Sequence, residues 1–196
     1  MRKDNEKTRL DVMIDLETTS CKPTAGIMSI SAIPFNIAGD EIIEDDPMLK
    51  AAERDGINYI INLASCFLEG FDFNSGTQDW WTKQSEVVKQ GFYSNAIHIK
   101  EAIEKLHSWL NNWNTNYELY VWSKGTDFDF PILENCFEKY RLKTPYNYWN
   151  KRDVRTYVSD YPEARRLAFS GGNAHNSLDD CRHQIEQIKL AYSLKK

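Results

Sequence analysis

Leu10-Asp11-Val12-Met13-Ile14-Asp15-Leu16-Glu17 is the stretch on which the reading of the fold turns. Apolar residues dominate it and Thr18-Thr19-Ser20 closes it. That is the pattern of a buried β-strand presenting acids at its C-terminal end. Residues two apart on a strand share a face, so Asp15 and Glu17 stand side by side. Two carboxylates placed this way can grip one hard dication from the same side. Alone the motif is weak. An Asp-x-Glu arises by chance about once in a chain of this length, and a solvated strand end explains it as well.

Outward from this strand, residues 27–37 alternate well enough for a second one. Ala38-Gly39-Asp40 then reads as a hairpin-like turn into Glu41-Ile42-Ile43. Residues 44–76 are the least legible part, with a strand expected at 58–63. Residues 77–89 have helical character, and 97–113 keep Ile99, Ala102, Ile103, Leu106, Trp109, Leu110 and Trp113 on one face. A short strand at 118–122 leads to a helix carrying Phe130, Leu133, Phe137 and Tyr140. Strand-like residues 146–149 precede a short helix expected over 151–158. The last helix runs to about Leu194, with Ser177 as its expected N-cap. Strands that precede and alternate with helices predict an α/β fold, a mixed sheet flanked by helices. We expect a single domain over 9–196 behind a frayed polar start at 1–8.

Composition narrows the function. The net charge of −5 argues against a basic protein that coats nucleic acid. It leaves room for an enzyme that grips nucleic acid at one small site, where clustered carboxylates are neutralised by dications. Cys21, Cys66, Cys136 and Cys181 are widely spaced and form no CxxC pair, so they read as free thiols of a reducing compartment. The charged first nine residues carry no apolar stretch, so no secretion signal is expected. No apolar run of about 18 residues predicts a membrane span.

Two further motifs carry chemistry. Gly125-Thr126-Asp127-Phe128-Asp129-Phe130-Pro131 follows a strand and opens a helix. A carboxylate is favoured there by the helix dipole, so an ordinary capping acid is a sound explanation, and Asp127 and Asp129 both qualify. His175-Asn176-Ser177-Leu178-Asp179-Asp180 joins the Gly171-Gly172 loop to the final helix. His175 alone reads as a surface loop residue, and Asp179 and Asp180 as first-turn acids.

In order, these are a strand-end Asp-x-Glu, an Asp at a strand-to-helix junction, and His-x4-Asp at the last helix. The chain resembles the DEDDh 3′–5′ exonucleases, the DnaQ-like superfamily that includes proofreading subunits and ribonuclease T. Within it, the resemblance is to the phage exodeoxyribonuclease A group and related bacterial exoribonuclease-like domains. It is carried by Ile14-Asp15-Leu16-Glu17-Thr18, Asp79-Trp80-Trp81-Thr82-Lys83-Gln84 and Phe128-Asp129-Phe130-Pro131-Ile132-Leu133. Trp149-Asn150-Lys151-Arg152-Asp153-Val154-Arg155-Thr156 and the segment from Ala174-His175 to Asp180-Cys181 complete it.

The resemblance implies a ribonuclease H-like fold. It selects Asp129 over Asp127, because the family's second acid follows a Phe, and Asp180 over Asp179 through the His-x4-Asp spacing. It implies two Mg²⁺ or Mn²⁺ ions held by Asp15, Glu17, Asp129 and Asp180, with His175 as general base. The implied partner is a nucleic acid with a free 3′ end, single-stranded DNA favoured over RNA. The implied location is the cytoplasm of a bacterial or phage-infected cell.

Substrate contacts are open to two readings each. Trp80 and Trp81 are candidate stacking platforms, though core packing explains at least one of them. Lys83, Lys124, Lys151, Arg152 and Arg155 are candidate phosphate contacts, against a plain solvated surface for any one of them. Asp153 reads as a structural acid. The competing functions are an exoribonuclease, a module that binds nucleic-acid ends without cutting, and an endonuclease of the ribonuclease H kind. Zinc hydrolysis fits poorly, since His98, His107 and His183 make no ligand set with the acids at familiar spacings.

Overall fold

The computed structural model describes residues 7–37 and 46–195. Five strands form one sheet: β1 (Thr8–Thr18), β2 (Ile27–Phe35), β3 (Ile57–Ile60), β4 (Tyr117–Ser123) and β5 (Lys151–Asp153). Their order is β3-β2-β1-β4-β5. β2 pairs antiparallel with β1 and β3, whereas β4 is parallel to β1 and β5 to β4. The sheet is therefore mixed, and helices flank it, matching the ribonuclease H-like expectation. The turn expected at Ala38-Gly39-Asp40 and the strand at Glu41-Ile42-Ile43 lie outside the described residues.

The helices are α1 (Pro47–Asp55), α2 (Leu63–Leu68), α3 (Ser75–Thr82), α4 (Glu86–Gly91), α5 (Ile99–Asn116), α6 (Asp129–Lys139), α7 (Val154–Tyr157), α8 (Pro162–Arg165) and α9 (Ser177–Ser193). None of the described helices is long and apolar enough to cross a membrane.

The period of two along β1 sorts the molecule into layers. Leu10, Val12, Ile14 and Leu16 face one side, where they join Ile99, Ile103 and Leu106 of α5 and Phe130, Leu133 and Phe137 of α6 in the larger core. Each such side chain, fully buried, contributes about 1.5–3 kcal/mol. Met13 faces the other side, with Trp122 of β4 and Cys181, Ile185 and Ile188 of α9. Asp11, Asp15 and Glu17 share that parity. Asp11 is fully buried and satisfied by Arg9 Nη2 at 2.6 Å and Trp122 Nε1 at 2.7 Å.

α9 is fastened to this face by a polar seam. The Ser177 hydroxyl shares hydrogen bonds with Ser29 (2.9 Å) and Ser31 (2.8 Å) of β2, all three residues being buried. Ser177 is thus not the N-cap. That role falls to Asn176, whose side chain accepts from the amides of Leu178 and Asp179.

Two other expectations are corrected. In the segment 146–158 the expected strand and helix both lie further along the chain: Tyr148–Asn150 is a 3-10 turn, Lys151–Asp153 the edge strand, and only Val154–Tyr157 helical. Three polar residues are too few to show alternation, and pairing with β4 makes them a strand. Residues 77–89 hold two short helices rather than one, because Ser85 caps α4 by accepting from the Val88 amide.

Candidate active site

The C-terminal end of β1 meets the N-terminus of α6, the start of α9 and the loop before α9. A register shift between Glu17 and Thr18 breaks the ladder here, a common device for re-aiming side chains near a site. Asp15 is half-buried and Glu17 buried, both on the α9 side of the sheet. Asp129, the first residue of α6, is buried and accepts from the Leu16 amide at 3.2 Å. Asp180, in the first turn of α9, accepts from the His175 amide at 2.8 Å. The structure thus brings together all five residues selected by the sequence resemblance.

The closeness of the acids shapes their electrostatics. Burial raises Asp15 well above the carboxylate range, and the charges of Asp129, Glu17 and Asp180 add to it. Burial, with Asp180 and Asp129, pushes Glu17 up to about 8. Burial lifts Asp129 to about 7 despite the Leu16 amide and the Arg155 guanidinium. Asp180 is raised by burial as well, against the His175 amide. Four carboxylates crowded in a partly dry site are short of positive charge, and a dication corrects this. One ligand atom each from Glu17, His175 and Asp180 lies within 4.8 Å of the others, so these residues can hold a metal ion.

His175 sits in an unusual backbone conformation for a side-chain-bearing residue, with φ 66°. Its loop is tied down by acids of α9. Besides the Asp180 bond, Asp179 Oδ2 accepts from the Asn173 amide at 2.9 Å. Gly172, at φ 83°, packs so closely on Asp179 that a Cβ there would overlap the carboxylate. Two indoles border the histidine ring, Trp80 edge-on at 4.7 Å and Trp81 at 6.3 Å between centroids.

The two tryptophans divide their labour. Trp81 is buried, donates from Nε1 to the Thr18 carbonyl at 3.0 Å and packs on Phe92. Trp80 is 42% exposed and borders a groove of about 450 Å³ lined by Leu16, Glu17, Thr18, Trp81 and Phe128. Among the cations, Lys124 is exposed and acts electrostatically on Asp180, and Arg155 acts on Asp129. Lys151 is paired with Glu134 at 2.8 Å. Arg152 lies away from the acids, stacked on Tyr120 at 4.7 Å. Asp153 caps α7, accepting from the Arg155 amide and the Thr156 hydroxyl.

Sequence reasoning missed Gln184. Its Nε2 donates to Asp15 Oδ1 at 2.8 Å, and its Oε1 is buried with no hydrogen-bond partner. The available signal was helical spacing: Gln184 follows Asp180 by four residues, so the two share a face of α9.

A family model described as the 3′-5′ exoribonuclease Rv2179c-like domain matches residues 10–191. Among solved structures, similar folds include the zinc-ion-bound form of Escherichia coli exonuclease I in complex with single-stranded DNA. Its TM-score is 0.63 at 13% identity, over 96% of this chain and 41% of that one. The nuclease domain of 3′hExo, a DEDDh family member bound to rAMP, gives 0.58 at 15% identity, over 95% of this chain and 92% of that one. Cell-death related nuclease 4 gives 0.58 at 12%, over 96% and 65%. The chain spans about two fifths of the length of exonuclease I. Comparison with curated protein sequences gives no match. With nearly its whole length matched, the chain belongs to the 3′-5′ exoribonuclease Rv2179c-like domain family.

Proposed function

We propose that this chain, as one catalytic domain over residues 9–196, hydrolyses single-stranded RNA from its 3′ end, using two divalent metals and His175 as general base. The observation that carries the reading is the convergence of Asp15, Glu17, Asp129, Asp180 and His175 at one end of β1. Asp15, Glu17, Asp129 and Asp180 would hold the metals, and the oxygen-rich donor set suits Mg²⁺ or Mn²⁺. Such ions, when bound, supply the positive charge that an in-line displacement at phosphorus requires at both its attacking and leaving oxygens.

The protein's own groups do the rest. His175 takes the proton from the attacking water, a task suited to an imidazole. Trp80 and Trp81 border that ring and limit its orientations. The groove beside Glu17, with Leu16, Trp80 and Phe128 on its walls, receives the terminal nucleotide. Lys124 contributes positive charge near Asp180, and Arg155 near Asp129.

The sequence reading favoured DNA, and the description of the matched family moves our preference to RNA. DNA is the second reading, on the resemblance to phage exodeoxyribonucleases and the single-stranded DNA held by E. coli exonuclease I. The compartment we propose, the cytoplasm, rests on that resemblance alone. A second reading of His175 also has an observation behind it: its nitrogen is close enough to Glu17 and Asp180 to serve as a metal ligand instead.

The test is degradation of 5′-labelled RNA and DNA oligonucleotides with Mg²⁺, Mn²⁺ or EDTA, beside Asp15→Ala. A metal-dependent ladder shortening from the 3′ end, absent in the variant, is expected, with RNA consumed faster. No cleavage of either polymer with any metal would overturn the reading.

A further inference from the structure

On the proposed reading as an exonuclease of single-stranded polynucleotides, we infer that the strand upstream of the catalytic groove lies along the β5 edge and stacks on the exposed pair Tyr148–Trp149. Tyr148 is 75% and Trp149 59% exposed. Their rings meet edge to face at 4.8 Å between centroids. The 3-10 turn Tyr148–Asn150 turns both outward while Asn150 is buried, its amide donating to Glu118 at 3.0 Å. The two rings are thus held on an anchored turn without being part of either main core.

Position gives this pair its meaning. β5 is the edge strand and runs parallel to β4 and β1 towards the acids. At about 3.3 Å per residue along a strand and about 4.8 Å between strands, the pair stands roughly 15–20 Å from Asp15. A stacked single strand advances about 3.4 Å per nucleotide, so bases some four to six positions from the 3′ end reach it. Stacking of bases on aromatic faces is sequence-tolerant, so such a platform would hold whichever bases reach it.

Charge agrees with a phosphate backbone on this edge. Arg152 donates to the Trp149 carbonyl at 2.8 Å and has no carboxylate ion-pair partner among the described residues. Arg155, one turn closer to the acids, is exposed. Beyond the pair, a cleft of about 520 Å³ opens, lined by Arg141, Lys143, Asn147 and Asn150, with Glu118 also on its wall. In a chain of net charge −5, cations and amides gathered beside bare aromatic rings favour a polyanion over another protein surface.

The experiment compares wild type with Tyr148→Ala/Trp149→Ala on 3-mer and 12-mer single-stranded RNA. Binding of a fluorescent 12-mer is measured by anisotropy in EDTA, and oligomeric state by light scattering. We expect KM for the 12-mer to rise about tenfold, with kcat and the 3-mer kinetics unchanged and the EDTA affinity lowered in parallel. Equal KM and equal affinity for the 12-mer in the two proteins would overturn the inference while leaving the exonuclease reading intact. A wild-type dimer that the variant turns into monomer, with 12-mer affinity unchanged, would overturn it in favour of a second copy on this edge. If wild type cleaves neither length, the function reading falls, and the anisotropy still decides whether this edge holds a polynucleotide.

Discussion

Gln184 Nε2 donates a 2.8 Å hydrogen bond to Oδ1 of Asp15, linking α9 to the acid at the centre of the cluster. The bond lowers the proton affinity of a carboxylate that burial and three neighbouring acids raise. It also ties up Oδ1 of Asp15, so that a metal held as proposed would be met by the other oxygen. Partners of this kind, one step behind a ligand, are commonly worth ten- to hundredfold in metal affinity. We predict that Gln184→Leu weakens Mn²⁺ binding about tenfold in calorimetric titration and lowers kcat. Its melting temperature should change little, because Gln184 Oε1 already lacks a partner. Unaltered Mn²⁺ affinity would contradict a positioning role.

The raised carboxylates predict a pH dependence with a definite sign. Glu17 titrates near 8 and Asp129 near 7 in the folded protein, against about 4 when unfolded. Between those values the folded state holds more protons than the unfolded one, so stability falls as pH rises from about 4 to 8. In EDTA the melting temperature should therefore drop across pH 5–8, and Glu17→Gln should flatten the slope. Mn²⁺ should raise it more at pH 8 than at pH 5. A melting temperature that climbs with pH in EDTA would show that the acids are not so crowded.

His175→Ala separates the two roles open to the imidazole. As a general base, its removal lowers kcat by about 10²–10⁴ and leaves Mn²⁺ affinity near wild type. A matching loss of metal affinity would make it a ligand instead.

Gly172→Ala tests whether the histidine loop must sit where it does. The residue has φ 83°, and a methyl group there meets the Asp179 carboxylate that caps Asn173. Strain of this kind costs about 1–3 kcal/mol. We expect kcat to fall at saturating metal with a much smaller change in Mn²⁺ affinity, since Asp15, Glu17 and Asp129 lie outside the loop. Wild-type turnover would mean that the loop adapts freely.

Thiol chemistry offers a check on packing. Cys21 is exposed, whereas Cys66, Cys136 and Cys181 are buried. Burial pushes Cys66 up to about 11, Cys136 to about 12 and Cys181 well above its ordinary range. Native protein should react with one equivalent of an aromatic disulfide reagent and denatured protein with four. More than one fast thiol in the native state would contradict the packing.

What was legible in the sequence follows from how each signal is encoded. β1 and α5 bury whole faces, and that burial writes a period into the chain. The acids could be placed because strand parity and helix starts are local. Asp129 and Asp180 were each separable from a neighbouring Asp only through family spacing. β5 was misread because Lys151-Arg152-Asp153 is made a strand by β4 alone. Arg152 shows the limit of reading charges one at a time: its guanidinium rests on Tyr120, a contact across two strands that no local pattern carries. Gln184 was missed differently: its spacing from Asp180 put it on the right face of α9, but its bond to Asp15 spans 169 residues.

The three serines between β2 and α9 have a consequence for how the enzyme keeps its shape. Apolar faces tolerate sliding, because one methyl group can replace another at little cost. Ser29, Ser31 and Ser177 do not, since each hydroxyl is buried and finds its partner in only one alignment. A helix displaced by a single residue would strand the Ser29 and Ser177 hydroxyls, at about 1–3 kcal/mol for each, and leave Ser31 only its bond to Asn58. Asp180 and Gln184 ride on that helix, so a lock of three small hydroxyls sets the spacing of a site built from both ends of the chain.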